Sequence, residues 1–157
     1  MRARPVDHAT RATELAVGDA RWLEFVSSSP SALPYHHPAW AEVFAECYGF
    51  RTFALAVVDG AGRISAGLPL AEVSVPFRGR RWVSLPFTDF LPPLAENDAA
   101  LARLVAELAS QRERAGIRAV ELRSEVNLPG VHPVAESYGH VLSLQADPGA
   151  IFRTFKQ

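Results

Sequence analysis

The sequence predicts a single α/β domain, with α+β character, in which helices pack on the faces of a mixed sheet. Three observations predict it. Two stretches carry apolar residues at helical spacing, two β-rich runs flank a glycine-containing turn, and a long helix sits between further strands. At 157 residues the chain suits one domain, which would bury roughly 68–70% of its unfolded surface. The domain is expected over 1–157, with 1–18 a poorly defined lead-in.

The elements follow in order. A strand near Val6 is a candidate in the lead-in. "GDARWLEFVSSSP" reads as a short helix with Asp19 as N-cap and Trp22, Phe25 and Val26 on one face. Pro30 and Pro34 break the chain. In "HHPAWAEVFAECYG", Pro38 occupies the first helical turn and Gly49 closes the helix in a left-handed cap. Trp40, Val43, Phe44, Cys47 and Tyr48 form its apolar stripe, so Trp40 and Tyr48 are expected in the core and Cys47 as a buried small hydrophobe. A hairpin follows, turning at Asp59-Gly60-Ala61-Gly62. Its first strand is apolar on both faces and therefore central. Pro69 in its second strand demands an edge or a bulge. "WVSLPF" is a third strand. Residues 97–115 form the long helix, with Leu101, Leu104, Val105 and Leu108 inward and Gly116 ending it. "IRAVELRS" and "HVLSLQ" are the fourth and fifth strands, and "DPGAIFRTFKQ" begins a last helix.

Composition narrows the function. Apolar residues make up 48% and charged residues 21%, with a net charge of −1 and no run of either sign. That lacks the basic footprint of nucleic-acid binding, so DNA is not an expected partner. No apolar run approaches the roughly 18 residues of a transmembrane segment. The N-terminus lacks the apolar core of a signal peptide. One cysteine fits a reducing compartment, and the expected location is cytoplasmic. Lys156 is the only lysine, which argues against lysine-nucleophile chemistry. His36 and His37 have no third ligand at metal spacing and read as capping or loop-packing residues; no metal is expected.

The stretch "VSLPFTDFLPP" carries the chemistry. A buried run ends by setting Thr88 and Asp89 between Phe87 and Phe90. At the end of a strand, Asp89 can accept a hydrogen bond from a substrate amine or act as a base. It can equally cap its own loop as an Asx-turn. Arg78, Arg80 and Arg81 around Gly79 form a compact basic turn, suited to a phosphate or carboxylate, or else merely solvated. Glu121 and Arg123 share one strand face, where they meet substrate or pair as ions.

The order of elements resembles the GNAT acyltransferase superfold. More narrowly, "YHHPAWAEVFAECYGFRTFALAVVD", "GLPLAEV", "GRRWVSLPFTDF" and "AVELRS" resemble the N-terminal half of FemAB-type proteins, over about residues 35–157. These include aminoacyltransferases that build peptidoglycan interpeptide bridges. The resemblance implies a GNAT-like, mostly antiparallel sheet with helices on both faces. It implies transfer of an acyl or aminoacyl group to an amine of a cell-wall or exopolysaccharide precursor, small or lipid-linked. The donor of the parent enzyme would be an aminoacyl-tRNA or an acyl-CoA, with no cofactor bound by this chain alone. Asp89 would contact the amine. Arg78, Arg80, Arg81, Thr88, Tyr35, Glu121 and Arg123 would line the substrate cleft. Family members continue into a second GNAT-like domain, so a truncated chain is expected, either partnered or self-associating through an exposed apolar patch. A silent acceptor-recognition module is the first alternative. A stand-alone acetyl-CoA N-acetyltransferase is the second, and "TDFLPPLAEND" argues against it: the segment has no glycine, and Pro92 and Pro93 have no N–H to offer a pyrophosphate.

Overall fold

The computed structural model describes residues 11–77, 79–135, 138, 142–144 and 146–155. Strand β1 (Arg11–Leu15) leads into helix α1 (Ala20–Ser28), a 3₁₀ turn (Pro34–His36) and helix α2 (Pro38–Tyr48). Strands β2 (Arg51–Val58), β3 (Ile64–Val75) and β4 (Gly79–Val83) follow, then the short β5 (Leu94–Ala95). Helix α3 (Asp98–Arg114), strand β6 (Ala119–Glu121) and helix α4 (Pro148–Thr154) complete the described chain. The sheet runs β1-β2-β3-β4-β6, antiparallel except for the parallel β4–β6 pair, and β5 pairs with β3.

Alternation along the strands builds two layers of core. Phe53, Leu55, Val57, Leu68, Leu70 and Trp82 pack under Leu104 and Leu108 of α3. The opposite face is lined by small residues, so α1 and α2 can approach closely. Trp22 of α1 packs with Ala54 and Ala56, and α2 sets Ala41 and Phe44 among Ala71, Leu85 and Leu91. Helix caps form where the sequence placed them. Asp19 Oδ1 accepts from the Arg21 N–H at 2.9 Å, and Gly49 ends α2 at φ 67°. His37 Nδ1 accepts from the Ala39 N–H, so its role is capping.

One interruption of the sheet positions the candidate site. β4 ends with Val83 opposite Ala71, whereas β5 pairs Leu94 with Gly67. Both flank the same side of β3, about 13 Å apart at about 3.3 Å per residue. Residues 84–93 leave the sheet between them. Pro69 lies in the gap, so its missing N–H breaks no pairing on that side. The expected bulge is therefore a detour of the neighbouring strand.

Several expectations are corrected. β1 forms at Arg11–Leu15, inside the presumed lead-in, by pairing with β2; Val6 lies outside the described residues. The third strand stops at Val83 instead of continuing through Phe87. The fourth is only Ala119–Glu121. Leu142–Leu144 form no strand, and the rest of "HVLSLQ" lies outside the described residues. In α2 the buried face is Pro38, Ala41 and Phe44. Trp40, Val43, Tyr48 and Cys47 are exposed. The small Ala41 fits against Ala71, which turns the bulkier stripe outward.

Candidate functional site

Beyond Val83 the backbone has no strand partner and turns sharply. Leu85 (φ 44°) and Phe87 (φ 63°) both adopt left-handed geometry, at roughly 1–2 kcal/mol each for a non-glycine residue. Local bonds hold them there. The Thr88 hydroxyl donates to the Leu85 carbonyl at 2.8 Å. The Ser84 backbone N–H donates to the Glu121 carbonyl, and the Leu91 N–H to the Arg123 carbonyl. Ser84 Oγ accepts from the Arg123 N–H, and Arg123 Nη1 donates to the Thr88 carbonyl at 2.8 Å. The loop is thus pinned at three points to the end of β6. Ser84, Leu85, Thr88 and Leu91 are buried, while Phe87, Asp89 and Phe90 project outward.

An ion-pair relay supports it from below. Arg123 Nη2 lies 3.1 Å from Glu121 Oε1, and Arg81 Nη1 lies 3.7 Å from Glu121 Oε2. Rings extend the outer surface. Phe87 packs on Phe44 (5.9 Å between centroids) and on Tyr48 (5.0 Å). Tyr48 stacks on Phe50, and Trp40 meets Phe44 and Tyr35. Yet Phe87 is 66% exposed, Tyr48 55% and Phe90 51%. At its far end the loop is tied by His36, which is fully buried: Nε2–H donates to the Pro92 carbonyl at 2.8 Å and Nδ1 accepts from the Leu33 N–H at 2.9 Å. Burial lowers the His36 pKa, outweighing the two backbone bonds, and favours the neutral ring.

The structure gathers Arg81, Thr88, Asp89, Glu121 and Arg123 at the shared end of β4 and β6. Thr88 faces inward with its hydroxyl committed to Leu85. Glu121 and Arg123 pair with each other. Asp89 is exposed and accepts no hydrogen bond among the described residues, so it is not an Asx cap. Tyr35 is half-buried against Trp40. Of the expected basic turn, Arg80 and Arg81 lie among the described residues. Arg80 and Arg81 are neighbours in β4 and point to opposite faces. Arg80 pairs with Glu72 at 3.0 Å and donates to the Ala115 carbonyl; Arg78 lies outside the described residues. His36 packs against a loop, as the sequence reading expected, whereas the exposed rings of Trp40, Tyr48 and Phe87 were missed. An excess of aromatics over one helical stripe was the available signal.

The start of α3 fits a pyrophosphate poorly. The Asn97 side chain caps the Ala100 N–H, and Asp98 occupies the first turn. Glu96 precedes them, paired with Arg63 at 3.4 Å. Carboxylates therefore stand where a phosphate would need bare N–H groups. Among the described residues, no group of three or more His, Cys, Asp or Glu could hold a metal ion, and no helix is long and apolar enough to cross a membrane.

Neither a protein-family model nor a curated protein matches the chain. Among solved structures it is similar to a ribosomal-protein-alanine N-acetyltransferase from Brucella melitensis biovar Abortus 2308. The TM-score is 0.54 at 17% identity, covering 87% of this chain and 100% of that one. Two variants of the BH1408 protein from Bacillus halodurans follow, with TM-scores of 0.49 and 0.48 at 13% and 14% identity. They cover 83% and 84% of this chain and 99% of each of theirs. The fold is accordingly GNAT-like, a mixed, mostly antiparallel sheet with helices on both faces.

Proposed function

We propose that the protein serves N-acyl transfer to an amine, with the acceptor held at the loop beyond β4. One observation carries this reading: a strained loop, pinned to β6, presents a carboxylate, unpaired among the described residues, between two exposed aromatic rings. Strain of this kind persists only where surrounding structure enforces it, and it concentrates at working sites. Asp89 accepts a hydrogen bond from the acceptor's ammonium and orients the nitrogen. Once the ammonium has passed one proton to water, the nitrogen lone pair adds to the donor's acyl carbon. The C–N bond forms, the bond to the leaving sulfur or oxygen breaks, and the leaving group takes a proton. Arg81, Glu121 and Arg123 act as positioning residues beneath the loop.

In its finer, FemAB-like form the acceptor is an amine of a cell-wall or exopolysaccharide precursor and the donor an aminoacyl-tRNA. The acidic start of α3 speaks against an acyl-CoA whose pyrophosphate is bound at that helix. The test is to incubate the protein with amine acceptors and each donor class and detect the amide by mass spectrometry. Asp89→Asn should lower kcat/KM about tenfold or more, and Asp89→Glu should restore part of it. Equal turnover by Asp89→Asn would overturn the assignment. A second reading, acceptor recognition without turnover, draws on the same lack of a pyrophosphate cradle. It predicts amine binding and no amide product with any donor.

A further inference from the structure

The two segments that build the outer surface of this site, residues 31–50 and 84–97, contain neither lysine nor arginine, although the chain has 16 such residues. Every arginine of the relay lies behind the loop, tied to a carboxylate or a carbonyl. The surface itself offers the exposed rings of Tyr48, Phe87 and Phe90 together with the Asp89 carboxylate, which has no partner among the described residues. Phe87 packs on Phe44 and Tyr48, and it and Asp89 are both exposed on either side of the buried Thr88. Rings with exposed π-faces attract cations, and a carboxylate without a partner adds to that attraction. An anion meets the Asp89 carboxylate and, within residues 31–50 and 84–97, no lysine or arginine to compensate it.

We infer that this surface selects an organic cation with an apolar body: an ammonium seated at Asp89 whose carrier lies across Tyr48, Phe87 and Phe90. The inference rests on the transfer reading for its biological role and specifies the acceptor class. It is an amine borne on an uncharged, apolar stretch of its carrier, with no phosphate or carboxylate near the nitrogen. An anionic group close to the amine would face Asp89 and lose the discrimination that the rings supply.

Three probes of one shape test it: 2-phenylethylammonium, 2-phenylethanol and 3-phenylpropionate, each titrated into the whole chain. Amide shifts of residues 87–90 and tryptophan fluorescence report binding. The ammonium should bind about tenfold more tightly than the alcohol, as one exposed cation–π contact plus one ion pair implies, with the carboxylate weakest. Asp89→Asn should bring the ammonium down to the alcohol's affinity. Phe90→Ala, at a ring with no core partner among the described residues, should weaken ammonium and alcohol together without disturbing the fold. Equal binding of all three probes, an unchanged ammonium affinity in Asp89→Asn, or no binding at all would overturn the inference. Binding requires no acyl donor, so the two readings fail separately. Selective ammonium binding without any amide product sinks transfer alone, and transfer to amines without charge selectivity sinks this inference alone.

Discussion

A methyl group at position 67 has nowhere to go. A Cβ built on Gly67 would stand 2.6 Å from Cζ3 of Trp22 and 3.2 Å from the Leu55 carbonyl oxygen. Trp22 is fully buried and Leu55 lies in a central strand, so neither can yield cheaply. Gly67→Ala should destabilise the domain by about 1–3 kcal/mol, the usual cost of overpacking, read as a lower urea midpoint at unchanged slope. Thr88→Val probes the loop by a different route. It keeps the shape but removes the donor to the Leu85 carbonyl, a loss of about 1–3 kcal/mol if that group stays dry. Faster amide exchange should then be confined to residues 85–91; protection equal to wild type would mean that the left-handed turn stands without the hydroxyl. What was legible at this scale is the placing of the exposed Asp89 between two aromatics, because such a carboxylate is chemically conspicuous. The separation of Arg80 from Arg81 was not. It depends on β4 beginning at Gly79, which turns adjacent residues to opposite faces.

At the scale of elements, His36 joins the approach to α2 to the loop beyond β4. Its folded-state pKa lies below the ordinary 6.5, first because burial penalises the charged ring. Between that lowered value and about 6.5 the unfolded chain binds the proton and the folded one does not. Stability should therefore be full above about pH 6.5, fall as pH drops towards the folded-state pKa, and level off below it. His36→Ala should be less stable than wild type at pH 8 and should lose much less on going to pH 5; equal losses in the two proteins would refute the assignment. Local signals read well where they were chemical, as with the Asp19 and Gly49 caps and the hairpin at Asp59. They failed where tertiary contact decides. "RATEL" carries helix-forming residues yet becomes a strand because β2 offers it a partner. The stripe of α2 was a fair helical pattern, but the sheet beneath accepted the narrow Ala41 side and left Trp40 and Tyr48 outside.

At the scale of the whole molecule, the placement of charge bears on the donor. The detour of residues 84–93 carries the chain along β3 before α3 begins, so that helix starts beside the Asp59 turn, where Glu96 bonds back to the Ser65 carbonyl. Asp59, Glu96 and Asp98 gather there, and of these only Asp59 and Glu96 pair with Arg63 among the described residues. Helix dipole and local side chains thus oppose one another for any anionic ligand. The expected outcome is that coenzyme A leaves the thermal midpoint unchanged. A site with a Kd of about 10 μM would add about 2.7 kcal/mol at about 1 mM ligand, which in a domain of this size is a shift of roughly 5 °C or more. Such a shift would be unmistakable. If it occurs and survives Asp98→Lys, the ligand sits away from α3 and the chain uses a different phosphate site. If it occurs and grows markedly in Asp98→Lys, the helix start binds phosphate despite its acids, and the case against an acyl-CoA donor at that helix fails with it.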